Sequence, residues 1–293
     1  MKKLTGTYTK DEKDRIERLK KSGAYLRAYE DRAFLHREDL RPVRLQLELL
    51  KPELRLQEEQ IKSTVVVFGS TRTVERSDMQ PVVRKLEKQS ARNPRDRKLK
   101  SDLRIARRLL AKSRYYDEAR EFARMVSGTC QIDGRCDFVI VTGGGPGIME
   151  AANRGASDVG AKSIGLNITL PLEQFPNPYI TPELCFQFHY FALRKMHFLM
   201  RARAMVAFPG GYGTMDELFE TLTLVQTGKV KPLPVILFGS KFWNRAIDFK
   251  FLRDEGVIAP EDLDLFRFAE TAAEAWEIIQ TFYRERGEDF VKD

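Results

Sequence analysis

The sequence predicts an α/β protein with a Rossmann-like, doubly wound parallel sheet. Three observations carry that expectation. Short, largely apolar runs recur at Thr64–Phe68, Phe138–Val141, Ile164–Ile168, Met205–Phe208 and Pro234–Phe238, and such runs mark strands buried on both faces. Segments of helical period separate them, the alternation of a parallel sheet. Three of the runs end in Gly69-Ser70, Gly143–Gly147 and Pro209–Gly213, where an open α/β sheet binds its ligand.

The chain has 293 residues, enough for one large or two medium domains with a buried core. Residues 1–60 are charged and helical in pattern and are expected to form a helical N-terminal extension. Residues 61–293 are expected to form the Rossmann-like domain. After the first strand, at Gly69-Ser70, a helix is due within a few residues. A basic helical insertion intervenes instead, at about 72–114, with a Pro-bounded helix near Val82–Ser90 and a longer helix from about Lys98. The stripe Tyr116, Ala119, Phe122, Ala123 and Val126 continues as helix to Gly128. After the second strand a helix runs from Ile148 to about Ser157. Following the third strand, Pro171–Pro182 is too long for a plain connection and reads as a functional loop. Helices are expected at His189–Arg203, Met215–Gln226, Trp243–Glu255, Pro260–Phe268 and Ala272–Arg284.

Net charge is +8, and residues 81–114 hold thirteen Lys/Arg against three Asp/Glu, which accounts for the whole excess. A nucleic-acid surface is conceivable there. No aromatic residue for base stacking lies between Pro81 and Arg114, so a solvated arm, or one facing an acidic partner, is the better reading. The three cysteines, Cys130, Cys136 and Cys185, include no Cys-x-x-Cys pair. That argues against a disulfide framework or zinc site and for a reducing cytoplasm. Met1-Lys2-Lys3 is followed by polar residues rather than an apolar signal core, and no apolar run is long enough to span a membrane.

The densest motif is Phe208-Pro-Gly-Gly-Tyr-Gly-Thr-Met-Asp-Glu217. Glycines let backbone N–H groups approach a ligand, and the helix expected from about Thr214 adds free donors and a positive dipole end. This is an anion cradle. Thr214-x-x-Glu217 also fits a capping box, so Glu217 is either a helix cap or a catalytic carboxylate. Thr142-Gly-Gly-Gly-Pro-Gly147 is a second glycine-rich turn, serving a phosphate-bearing ligand or close helix–sheet packing. It lacks the Gly-x-Gly-x-x-Gly spacing of NAD sites, and neither turn carries the Gly-Lys-Ser/Thr of a Walker loop. Arg194 and Lys195 are adjacent on one helix and point about 100° apart, so one of them reaches a given site; Arg suits a phosphate or carboxylate. Glu220 shares the helix face of Glu217, as support or as a solvated group. His189 and His197 lack metal-ligand spacing, and no nucleophile elbow is present; no metal and no cofactor are expected.

These motifs meet a known family. Pro209–Glu217 resembles the PGGxGTxxE signature of the LOG ("Lonely guy") family, Gly143-Gly-Gly-Pro-Gly-Ile-Met149 resembles its GGGxxGxM loop, and Arg194-Lys195 resembles its RK pair. The resemblance runs from about Val65 to Phe238. It implies a Rossmann-like fold, a homodimer or higher homo-oligomer, and a phosphoribohydrolase. Such an enzyme cleaves the N-glycosidic bond of a nucleoside 5′-monophosphate, such as AMP or a cytokinin riboside monophosphate, to free base and ribose 5-phosphate. The family's older label, lysine decarboxylase, is regarded as an error. The resemblance makes Glu217 the catalytic carboxylate and Arg194 its partner. It makes Gly210, Gly211, Gly213 and Thr214 the holders of the 5′-phosphate. Gly69, Ser70, Gly143, Gly144, Gly145, Gly147, Met149, Lys195 and Pro209 join them as substrate-binding residues; Asp216 and Glu220 are candidates for a supporting second carboxylate, though the resemblance itself supplies only Glu217. Phe191 and Phe198 stand where short members often carry Met, and Pro171–Asn177 resembles a longer bacterial subgroup. The alternative is a non-catalytic carrier of a phosphate-bearing ligand, resembling molybdenum cofactor carrier proteins. Neither membrane nor nucleic-acid partners are expected.

Overall fold

The computed structural model describes residues 8–132, 134–171 and 175–288. The chain divides into two compact units, Met1–Leu50 and Lys51–Asp293. In the first, α1 (Lys10–Lys20) opens with a capping box between Thr9 and Glu12. A four-residue helix, α2 (Arg32–Leu35), is capped by Asp31. No described residue of this unit is buried. The boundary falls within α3 (Arg41–Glu58), whose buried residues, Pro52 and Leu56, belong to the second unit.

The second unit is a doubly wound sheet. β1 (Thr64–Phe68) leads through α4 (Arg76–Arg92), α5 (Arg97–Lys112) and α6 (Arg114–Cys130) to β2 (Val139–Thr142). Then come α7 (Ile148–Ser157), β3 (Ser163–Ile168), β4 (Cys185–Phe188), α8 (Phe191–Met200) and β5 (Ala202–Ala207). The chain continues with α9 (Tyr212–Gln226), β6 (Val235–Phe238), α10 (Ser240–Ala246), α11 (Phe249–Asp254), β7 (Phe266–Ala269) and α12 (Ala272–Arg284). The strand order is β4-β3-β2-β1-β5-β6-β7, and every pairing is parallel. The order reverses between β1 and β5, which makes the crevice above those two strands the topological switch point.

β1, β2 and β6 bury every residue because helices cover both faces. Val65, Val66 and Val67 have no exposed surface, and burying each such side chain stabilises by roughly 1.5–3 kcal/mol relative to exposure. The helices α6, α7 and α12 pack one face through Phe122, Ala123, Ile148, Ala152, Trp276 and Ile279.

Two strands escape the sequence reading. β4 alternates exposed and buried residues over four positions, too short to stand out beside the long loop before it. β7 lies within the stretch expected as helix at Pro260–Phe268; the helical turn there is a 3₁₀ segment, Pro260–Leu265, and Phe266 pairs in register with Val235. Both are edge strands, where pairing with a formed sheet rather than apolar content selects the extended state. The basic insertion is an αα-hairpin of α4 and α5. Pro81 lies inside α4 rather than bounding it. The hairpin has its own small core of Val83, Leu103 and Ala106, backed by Met79, Leu86 and Leu110.

Candidate active site

The carboxyl ends of β1 and β5 are stitched together by backbone. Phe208 N–H donates to the Phe68 carbonyl at 2.8 Å, Ser70 N–H donates to the Pro209 carbonyl at 3.1 Å, and Ile148 N–H donates to the Ser70 carbonyl at 3.2 Å. Ser70 thus joins the Pro-Gly-Gly turn on one side to the start of α7 on the other. A cavity of about 590 Å³ opens above this junction.

One wall is the Pro209–Thr214 turn. α9 begins at Tyr212 with Gly211 as N-cap, and no side chain caps it. Of the two readings of Glu217, the capping box with Thr214 is therefore absent. Thr214 is already the third helical residue and Glu217 the sixth, too far into the helix for its carboxylate to reach back to the terminus. The first intrahelical donor is Met215 N–H, to the Gly211 carbonyl at 3.0 Å, which leaves the N–H groups before it for a ligand. Thr214 packs directly against Gly210, where a Cβ would collide with the threonine side chain. Gly210 is glycine because that approach requires it.

Glu217 faces this cavity while only 6 % exposed. Burial pushes its carboxyl up to about 7; Lys195 opposes the shift, Glu220 adds to it, and Arg194 opposes it. No side chain among the described residues donates a hydrogen bond to it. Arg194 enters from α8. Its Nε donates to the Leu166 carbonyl at 2.7 Å and its guanidinium lies 5.2 Å from the Phe198 ring centre. Burial lowers its pKa and Glu217 opposes that, yet a guanidinium stays charged.

The adjacent cations diverge as their separation on the helix requires. Lys195 does not line the cavity. It bridges Asp216 at 2.8 Å and Glu220 at 2.9 Å. Burial pulls its ammonium down, but those two hydrogen bonds outweigh it and the net shift is upward. Of the two supporting acids, Asp216 reaches the cavity and Glu220 does not.

The second glycine turn has a different place. Gly69, Ser70, Met149, Pro209, Gly210, Gly211, Gly213 and Thr214 line the cavity; Gly143, Gly144, Gly145 and Gly147 do not. Gly143 instead makes room for Arg194: a Cβ there would lie 2.5 Å from its Nη2 and 2.9 Å from the Met149 Sδ. Gly147 adopts φ 76° as the N-cap of α7. Asn177 pins the turn. Its N–H donates to the Gly144 carbonyl at 2.8 Å, and its Nδ2 donates to the Gly145 carbonyl at 3.1 Å and to the Asn153 Oδ1 at 3.0 Å. Leu172–Gln174, in the stretch likened to the longer subgroup, lie outside the described residues, as do Met1–Lys3. His197 is buried against the Phe188 ring, 5.4 Å between centres.

Sequence reasoning missed Arg72, Leu109, Lys112 and Phe191, which also line the cavity. The charge of residues 81–114 was the available signal for Lys112. A larger cavity of about 910 Å³ lies at the opposite strand ends, lined by Ser63, Phe138, Ala202 and Leu233. It has neither glycine turn nor Glu217, and ligands of open α/β sheets bind at the carboxyl ends.

A family model described as "Possible lysine decarboxylase" matches residues 149–279. "Probable cytokinin riboside 5'-monophosphate phosphoribohydrolase LOGL3" of Oryza sativa subsp. japonica is 26% identical over 183 residues, covering 58% of this chain and 78% of its own. LOG3 of Arabidopsis thaliana, a cytokinin riboside 5'-monophosphate phosphoribohydrolase, is 29% identical over 168 residues, 56% of this chain and 73% of its own. Over these stretches this chain is similar to the LOG phosphoribohydrolases. Among solved structures, the molybdenum cofactor carrier protein of Chlamydomonas reinhardtii aligns at TM-score 0.45 and 18% identity, covering 78% of this chain and 99% of its own. The structural-genomics target TM1055 aligns at TM-score 0.45 and 19% identity, covering 75% and 99%. Among the described residues, no helix is long and apolar enough to cross a membrane.

Proposed function

We propose that this protein hydrolyses the N-glycosidic bond of a nucleoside 5′-monophosphate, of the AMP or cytokinin riboside type, to free base and ribose 5-phosphate. The observation that carries the reading is Glu217, a buried carboxylate in the cavity that the uncapped start of α9 and Arg194 share. The 5′-phosphate sits on the free N–H groups of the Gly211–Thr214 turn, where the helix dipole favours an anion. That anchor spends its binding energy on placing the ribose. As the C1′–N bond lengthens, positive charge develops on the ribosyl ring and the ionised Glu217 stabilises it. The same carboxylate orients the attacking water and accepts its proton as the C1′–O bond forms. The bond electrons leave with the base, whose nitrogen takes up a proton from solvent while Glu217 returns to solvent the proton it took from the water. A carboxyl that titrates at about 7 takes up and releases a proton at neutral pH, as a general base must.

Arg194 anchors the substrate, and Asp216 and Lys195 set the charge around Glu217. We infer a cytoplasmic homo-oligomer. Exposed Met196 and Met200 on α8, and Tyr212 and Phe219 on α9, supply apolar surface for a second copy. Incubation with AMP, CMP, GMP, UMP and isopentenyl-adenosine monophosphate, following base release, tests the activity. Release that is lost in Glu217→Ala supports it. No release from any of the five, with a phosphate-bearing ligand retained in native mass spectrometry, replaces it with the carrier reading.

A further inference from the structure

The basic hairpin has not been accounted for by the fold or by the motifs. Its second helix brings Leu109 and Lys112 to the cavity that holds Glu217 and Arg194, and the β1–α4 loop brings Arg72. Leu109 and Lys112 are three residues apart, on one face of α5. Four other cations of that helix lie elsewhere: Lys100, Arg104, Arg107 and Arg108 surround a separate surface with Leu103 and Ala111. One helix therefore has two basic faces, and only one meets the site.

The position of Lys112 is held from both sides. Its Nζ lies 5.2 Å from the Phe242 ring centre. One residue on, Ser113 is buried, and Arg114 pairs with Glu270 at 3.0 Å. At the other root of the hairpin, Glu75 pairs with Arg154 at 2.8 Å and Arg120 at 3.5 Å. Neither Arg72 nor Lys112 forms an ion pair with a carboxylate among the described residues. The cavity thus collects three cations, Arg72, Lys112 and Arg194, against the carboxyls of Asp216 and Glu217. The first two line the same cavity as the uncapped turn of α9.

We propose that Lys112 and Arg72 clamp the phosphate of the bound ligand against the Gly211–Thr214 turn, which makes the α4–α5 hairpin a functional part of the site. This rests on the ligand being a phosphate monoester, as in the proposed function, and not on its being hydrolysed. Two cations on one side and backbone donors on the other enclose the phosphate, and the charge step between phosphorylated and dephosphorylated ligands becomes the basis of selection.

Calorimetric titration of the full chain with ribose 5-phosphate, and separately with ribose, tests the assignment without needing turnover. Lys112→Met and Arg72→Met are each expected to weaken ribose 5-phosphate binding about 10-fold and to leave ribose unchanged. Lys112→Arg restores most of the loss. Lys100→Met, on the other face of α5, keeps wild-type affinity. Arg72 is an exposed loop residue, so its variant tests the clamp even if a change at Lys112 disturbs the hairpin. Wild-type affinity in both methionine variants overturns the proposal. So does an equal loss in Lys100→Met, the mark of a diffuse basic face, or wild-type protein that binds no ribose 5-phosphate. Weakened ribose 5-phosphate binding in a protein that releases no base would sink the hydrolase reading and leave the clamp standing.

Discussion

Glu217→Gln is expected to stabilise the folded protein at pH 8 and to do nothing at pH 4. In the unfolded chain the carboxyl titrates near its ordinary value of 4.5; in the fold, burial raises it to about 7. Below pH 4.5 both states carry the proton and the group contributes no difference. Between those values the folded state holds more protons, so stability falls as pH rises. Above about 7 both states are ionised and the full penalty is present. The interval corresponds to about 3 kcal/mol of destabilisation. Glutamine matches the shape and carries no charge, so it removes that penalty. At about 2 °C per kcal/mol for a chain of this size, Tm should rise by about 6 °C at pH 8. Urea unfolding of both proteins at pH 4, 6 and 8 measures the difference directly. Equal stabilities at all three values, or a gain largest at pH 4, would refute the assignment of a buried, charge-penalised carboxyl. The same variant should lose base release, trading stability for function.

Three further outcomes follow from the site. Gly143→Ala should weaken base release by about 10- to 100-fold with a smaller effect on Tm, because its Cβ would displace the Arg194 Nη2 now 2.5 Å away and strain the Nε bond to the Leu166 carbonyl; steady-state kinetics beside a melting curve separate the two. Lys195→Met removes the charge that most opposes the rise at Glu217. The acid limb of the kcat/KM profile should therefore move to higher pH, and an unmoved limb would disconnect Lys195 from the carboxyl. Asn177→Ala keeps the backbone bond to the Gly144 carbonyl but leaves the buried Gly145 carbonyl without its Nδ2 donor and Asn153 Oδ1 with one donor fewer, which should lower stability by about 1–3 kcal/mol in chemical denaturation.

The sequence by itself determined the five central strands, the parallel winding and the two glycine turns, because wholly buried strands leave continuous apolar runs and tight turns leave glycines. It also singled out Glu217 and Arg194, whose motifs lie within single short segments. The edge strands β4 and β7 were not legible, since four residues acquire extended structure only beside a sheet that already exists. Whether Glu217 caps α9 or faces a ligand was likewise open, because Thr-x-x-Glu satisfies both readings until the helix start is known. The structure places that start at Tyr212, and the carboxyl then falls in the cavity. Tertiary contact decided which of the adjacent cations enters the site, sending Arg194 under Gly143 and Lys195 to Asp216 and Glu220. It also brought Lys112 to a site about a hundred residues away in sequence. Such juxtapositions depend on how distant helices pack, and no local pattern of residues encodes them.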